Sequence, residues 1–209
     1  MRSARLSFYA AAGGVSVLLA AGCGILKPPP SDGAEPADAS DSPASEPAAE
    51  GASPTSEASE AGGICKYLDF ESISAATEKS FSVAEAGGAD EVTSCVLLTT
   101  TGKLPEVTLT RAKTETDADT YQDEIPPKGA DEVDDLGKSA YSAVRESEEK
   151  LGPAVEIGWL ANGHMYSLRY TTPLDTDKDE PAGTVDALIE VAKVVADAAA
   201  KDDKKEDDD

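Results

Sequence analysis

Three stretches of the chain alternate between apolar and polar positions. Val107, Leu109 and Arg111 interleave with Thr108 and Thr110; Val155, Ile157 and Trp159 share one register, and Tyr166, Leu168 and Tyr170 another. Spacing of period two sends successive side chains to opposite faces of a pleated strand, so each stretch predicts a half-buried strand. Asn162-Gly163 lies between the last two, and both residues tolerate positive φ, which predicts a tight hairpin. Further strands are expected over 94–100, with Cys95 inside, and over 140–145, fed by a turn at Leu136-Gly137. Residues 81–83 read as extended, with Gly87-Gly88 as the break. Helical spacing occupies the remaining segments. Asp69 is an N-cap before a short helix over 70–79, with Ile73, Ala76 and Thr77 on one face. Residues 117–125 form a second short helix, ended by Pro126-Pro127. Pro181 opens a long helix to about residue 200, where proline suits the first turn. Its apolar stripe is Val185, Leu188, Ile189, Ala192, Val195 and Ala199. The order predicts an α+β domain: an antiparallel sheet with a short N-terminal and a long C-terminal helix packed on one face.

The first residues follow another logic. Arg2 and Arg5 precede an uncharged, Ala-, Val- and Leu-rich stretch over 6–22, which ends Leu19-Ala20-Ala21-Gly22-Cys23. A basic start, an apolar core and small residues before a cut make a secretory signal. A cut directly before Cys23 matches a bacterial lipobox, in which the cysteine sulfur takes a diacylglyceryl group and the residue becomes the new N-terminus. Ala20 stands where leucine is more usual. An uncleaved membrane anchor is the alternative, but the stretch contains Gly13-Gly14 and is shorter than the roughly 20 residues a spanning helix needs. Lipidation of Cys23 leaves Cys65 and Cys95, for which one pairing exists. An exported chain meets an oxidising compartment, so a Cys65–Cys95 disulfide is expected over two free buried thiols. Two cysteines and one distant histidine do not make a zinc site.

Composition sets the domain limits. Pro, Ala, Ser, Glu, Asp and Gly make up nearly all of residues 27–63, with no aromatic residue and no apolar period. Such a segment cannot bury enough surface to offset its ordering entropy, and it reads as a disordered tether. About 37 residues of coil span roughly 30–35 Å on average. Its Ser, Thr and Pro content also suits O-glycosylation. The expected divisions are therefore a signal peptide at 1–22, the lipidated cysteine and tether at 23–63, a folded domain at 64–200 and a disordered charged tail at 201–209. The formal charge is −23, and loss of Arg2 and Arg5 with the signal takes it to −25. A chain so acidic is repelled by nucleic acid and by anionic lipid headgroups, which removes both from the expected partners.

The lipobox at Cys23, the acidic tether, Cys65-Lys66-Tyr67-Leu68 at the domain start, Ser94-Cys95 about thirty residues later, Leu136 to Tyr141 and the C-terminal helix together resemble one known group. The chain is similar to actinobacterial cell-envelope lipoproteins built on a domain of unknown function. In that family an aromatic residue commonly follows the second cysteine; here it is Val96. The resemblance spans most of residues 64–200. It implies a sheet-and-helix domain, similar in fold to PsbP-like envelope sensor domains, and it carries over no catalytic residue.

Candidate chemistry is sparse. A hydrolytic triad needs a base, and the single histidine, His164, directly follows the Asn162-Gly163 turn, where an exposed hairpin end is expected. No Gly-x-Ser-x-Gly elbow, phosphate loop or dinucleotide fingerprint is present. Asp134-Asp135 reads as a solvated turn. Asp175, Asp177, Asp179 and Asp186 have the spacing with which an EF-hand loop points oxygens at calcium. Glu180 occupies the place of the turn glycine, however, and Asp186 that of the longer glutamate. An acidic loop at a helix N-terminus, where the dipole favours carboxylates, accounts for the same residues. Asp117, Asp119 and Asp123 match the pattern less well. Trp159, Tyr166 and Tyr170 read as core. No catalytic residue and no cofactor is assigned. The expected function is that of a non-enzymatic binding, sensor or accessory module at the cell envelope. It would reach the membrane through its lipid anchor, with a wall component or a protein as partner. An envelope hydrolase with an unrecognised site and a calcium-stabilised structural module are the alternatives.

Overall fold

The computed structural model describes residues 57–101, 103–148 and 150–206. The signal segment, Cys23 and the tether as far as residue 56 lie outside the described residues. Order begins earlier than the expected residue 64. Two short 3₁₀ turns, Ala58–Ala61 and Gly63–Tyr67, precede the first helix, and Ala58 is buried in the core. Helix α1 spans Phe70–Thr77. The Asp69 carboxylate caps it, accepting from the backbone N–H of Glu71 at 2.8 Å and of Ser72 at 3.2 Å. The helix ends at Thr77, two residues before the expected end, and Glu78 follows it with a left-handed φ of 56°.

Seven antiparallel strands form one sheet: β1 (Val83–Ala89), β2 (Val92–Leu98), β3 (Glu106–Lys113), β4 (Asp131–Glu132), β5 (Ser139–Arg145), β6 (Ala154–Ala161) and β7 (His164–Thr171). The spatial order is β1-β2-β3-β7-β6-β5-β4. The chain meanders through β1, β2 and β3 and crosses by helix α2 (Ala118–Glu124) to the far edge. It then meanders back so that β7 pairs with β3. Gly87-Gly88, expected to break the chain, lies inside β1; the reversal into β2 falls at Asp90, with φ 54°. Asn162-Gly163 makes the β6–β7 hairpin with positive φ at both positions, 49° and 72°.

The helix face of the sheet holds the main core. Cys95 and Leu97 of β2, Val107 and Leu109 of β3, Ile157 and Trp159 of β6 and Leu168 of β7 are fully buried there. Leu188, Ala192, Val195 and Ala199 of the C-terminal helix cover them, the i, i+4, i+7, i+11 stripe that the sequence predicts. That helix is in two pieces. Pro181 lies in a short helix, α3 (Asp179–Ala182), and the long helix α4 runs Val185–Glu206. Helix α4 therefore continues six residues past the expected end, into the segment read as a charged tail. On the other face a smaller cluster, Tyr121 of α2 with Tyr141, Ala143 and Leu160, covers one side of the sheet. The turn before β5 needs its glycine: Gly137 has φ 65°, and a Cβ there would lie 2.4 Å from the Leu160 carbonyl oxygen.

Candidate functional site

The residues singled out by the sequence that lie within the described part of the chain have definite places. Cys65 and Cys95 form a disulfide with Cα atoms 5.0 Å apart, and both are fully buried. The bond ties the Gly63–Tyr67 turn to the middle of β2. The four aspartates with calcium-like spacing do not converge. Asp177 accepts from the Asp179 backbone N–H at 3.0 Å, while Asp186, in the first turn of α4, borders a hollow with Asp131, Glu132 and Asp134. Among the described residues, no group of three or more His, Cys, Asp or Glu is placed to hold a metal ion. Asp117 is the N-cap of α2: it accepts from Thr120 N at 2.9 Å and Thr120 Oγ1 at 3.2 Å, bonds that hold its carboxyl below the usual carboxylate range. Asp135 takes a left-handed φ of 59° in the turn before Leu136.

His164 differs from expectation. It is half-buried as the first residue of β7, and it borders a hollow of about 710 Å³ at one end of the sheet. The register builds this place. Arg111 of β3 pairs with Tyr166 of β7, which pairs with Trp159 of β6; two positions along, Lys113 pairs with His164. The last turns of α4 bring Ala200, Asp203 and Lys204 to the rim. Trp159 and Tyr166 stack in parallel, 5.0 Å between centroids, and the Arg111 guanidinium lies 6.0 Å from the Tyr166 ring centre.

Arg111 is the hub. Its Nη2 donates to Asp203 Oδ1 at 2.8 Å and lies 3.4 Å from His164 Nδ1. His164 Nδ1 is also 2.9 Å from the Asn162 carbonyl oxygen. A carbonyl can only accept, so a hydrogen bond there puts the imidazole proton on Nδ1 and leaves the guanidinium to Asp203. Among the described residues, three buried polar atoms of this cluster find no hydrogen-bond partner: Arg111 Nε, Asp203 Oδ2 and Trp159 Nε1. Burial pushes the Tyr166 phenol up to about 12, against the opposing pull of Arg111. Next to Asp203, Asp202 accepts from Tyr67 Oη at 3.1 Å and Lys66 Nζ at 2.5 Å. The hydrogen bond to Asp202 raises the Lys66 pKa; burial, then the same carboxylate, raises that of Tyr67.

Sequence reasoning missed Arg111 and Asp203. One signal was present: Arg111 continues the inward register of Val107 and Leu109, and a charge on that face requires a partner. Nothing local marks Asp203.

A second polar cluster lies on the opposite face. Glu156 is 8% exposed; it accepts from the Tyr141 hydroxyl and takes two bonds from Arg145, from Nε at 3.1 Å and Nη2 at 2.9 Å. Burial first, and the Glu156 carboxylate second, raise the pKa of both Tyr141 and Tyr121. These bonds satisfy a buried carboxylate and explain its tolerance within a sheet.

No protein-family model, no curated protein and no solved structure matches this chain.

Proposed function

We propose that the protein is an extracytoplasmic lipoprotein, anchored through Cys23, whose domain is a non-catalytic binding module with its site at the Arg111 hollow. The observation that carries this reading is the donor set there. Arg111, Lys113 and Lys204 line an open hollow beside Asn162, and no serine, threonine or cysteine stands among the lining residues. Such a site can hold a ligand by charge and hydrogen bonds, with no hydroxyl or thiol nucleophile among its lining. The Leu19-to-Cys23 lipobox and the acidic tether support the anchor, and the resemblance to actinobacterial envelope lipoproteins agrees with both.

One observation favours a second reading, an envelope hydrolase: His164 and Asp203 share the hollow. A catalytic dyad needs its carboxylate on the imidazole N–H. Here the Asp203 carboxylate is on Arg111, which favours the binding module.

Growth with an alkyne-labelled fatty acid tests the anchor. The chain is expected to take up label and to show the added acyl mass on Cys23, and Cys23→Ser to take up none. Equal labelling of both would overturn the anchor. Turnover of an envelope substrate that disappears in His164→Ala would overturn the non-catalytic assignment.

A further inference from the structure

We infer that the Arg111 hollow takes the phosphate group of a small solute. The inference rests on the binding-module reading and names its ligand class. In a chain of 41 acidic and 18 basic residues, this hollow gathers three cations, Arg111, Lys113 and Lys204, against one lining carboxylate, Asp203. The cations approach from two sides. Arg111 and Lys113 project from adjacent same-face positions of β3, and Lys204 comes from α4. Asn162, at the hairpin turn, adds a side-chain amide. Donors on several sides suit a tetrahedral, multiply charged oxyanion better than a planar carboxylate, which presents two oxygens in one plane. A volume of about 710 Å³ leaves room for the organic part of a phosphate ester.

Three features oppose an anion, and the last of them locates the control. The carbonyl end of α4 carries partial negative charge and its last turn borders the hollow, a modest opposition that salt screens. Glu91 lies 3.6 Å from Lys113 in a solvent-exposed pair that water and salt screen. Asp203 is the strong competitor: it already holds Arg111 Nη2, with both side chains about one-fifth exposed. An entering phosphate meets a guanidinium that a carboxylate of the chain has pre-positioned and partly neutralised. The two partners of one ion pair should therefore affect binding in opposite directions. Loss of Arg111 removes a donor; loss of the Asp203 charge removes a rival.

The test is calorimetric titration of the chain, purified in nonionic detergent, with inorganic phosphate, glucose 6-phosphate and glucose. Co-sedimentation with vesicles of neutral lipid, with and without phosphatidylglycerol, follows. Saturable binding of phosphate or its monoester, and none of glucose, is expected. Arg111→Gln should weaken it by about tenfold or more, and Lys204→Gln, at an exposed position, by roughly threefold. Asp203→Asn should tighten it by roughly threefold. Lys128→Gln, in an exposed turn outside the hollow, makes the same net charge change as Arg111→Gln and Lys204→Gln and should alter nothing. Binding to phosphatidylglycerol vesicles alone would place the phosphate in a lipid headgroup and overturn the small-solute form. Absence of all phosphate binding, or equal weakening by Arg111→Gln and Asp203→Asn, overturns the site. A chain that carries acyl mass on Cys23 yet binds no phosphate overturns this inference and leaves the anchored-module reading standing.

Discussion

Removal of the disulfide should cost the domain a large share of its stability. Cys65 and Cys95 are 30 positions apart, so the bond closes a loop of that length in the unfolded chain. The loop-entropy relation gives about 3–4 kcal/mol for such a loop. The double variant Cys65→Ala, Cys95→Ala also removes two fully buried sulfurs, which adds on the order of 1 kcal/mol for lost packing. A total near 4–5 kcal/mol compares with about 5–15 kcal/mol for the whole stability of an ordinary domain. At roughly 2–4 °C per kcal/mol for this size, the melting temperature should fall by about 8–20 °C. Urea unfolding of oxidised chain and variant, with linear extrapolation, measures the difference. The slope against urea should also rise, because the unfolded chain without its cross-link exposes more surface. A loss below about 1 kcal/mol with an unchanged slope would refute the reasoning, since neither the loop nor the buried sulfurs would then contribute as argued.

Alkaline pH should unfold the domain cooperatively. Burial pushes Tyr166 and Tyr170 up to about 12 and raises Tyr121 and Tyr141 in the same direction. The unfolded chain releases these protons near pH 10 and the native state keeps them, so this stability is complete below pH 10 and lost as pH rises toward 12. Each group contributes a slope of about 1.4 kcal/mol per pH unit; far-ultraviolet dichroism and phenolate absorbance should change together, and phenolate absorbance rising near pH 10 with the fold intact would count against the burial of these rings. Gly137→Ala should cost about 2 kcal/mol or more, because a Cβ at that left-handed residue would meet the Leu160 carbonyl oxygen; denaturant midpoints measure it, and a neutral variant would show that the turn can relax.

The parts of the fold legible in the sequence are those whose cause is local. Strict alternation through 155–159 and 166–170, with Asn-Gly between, predicts β6, β7 and their turn, and these are present in that register. Asp69 and Asp117 predict helix starts because one short side chain can satisfy the N–H groups just ahead of it, as both do. β1 was illegible for the opposite reason. Beyond Val83 and Ala84 it runs through Glu85, Ala86, Gly87, Gly88 and Ala89, all exposed, with no apolar period to read. Pairing with β2 across seven residues makes it a strand, and that is a non-local cause. Ala58 lies in a run of low-complexity composition, and its burial depends on a core assembled much later in the chain. The disulfide was legible by counting, the hollow was not.

The hollow depends on where α4 ends, and that end is fixed by contacts far away in sequence. Residues 201–206 have the composition of a solvated tail, and the like-charge i, i+4 pairs Lys201–Lys205 and Asp202–Glu206 would weaken an isolated helix there. Two consecutive aspartates meet cations from different parts of the fold instead. Successive helical residues point about 100° apart, so Asp202 reaches Lys66 and Tyr67 beside the disulfide while Asp203 reaches Arg111 on β3. The first pair is exposed, at 51% and 38%, and contributes little by itself. The second is about four-fifths buried on each side, so loss of one partner leaves a charge that water screens poorly. Together they pin the final turn at two points and hold Lys204 over Lys113 and His164's side of the sheet. A helix that stopped at residue 200 would bury the same apolar stripe, since the last buried stripe residue is Ala199. The additional turn and a half adds no apolar core; it supplies the carboxylate partner that the largely buried Arg111 requires, and with it the rim of the hollow.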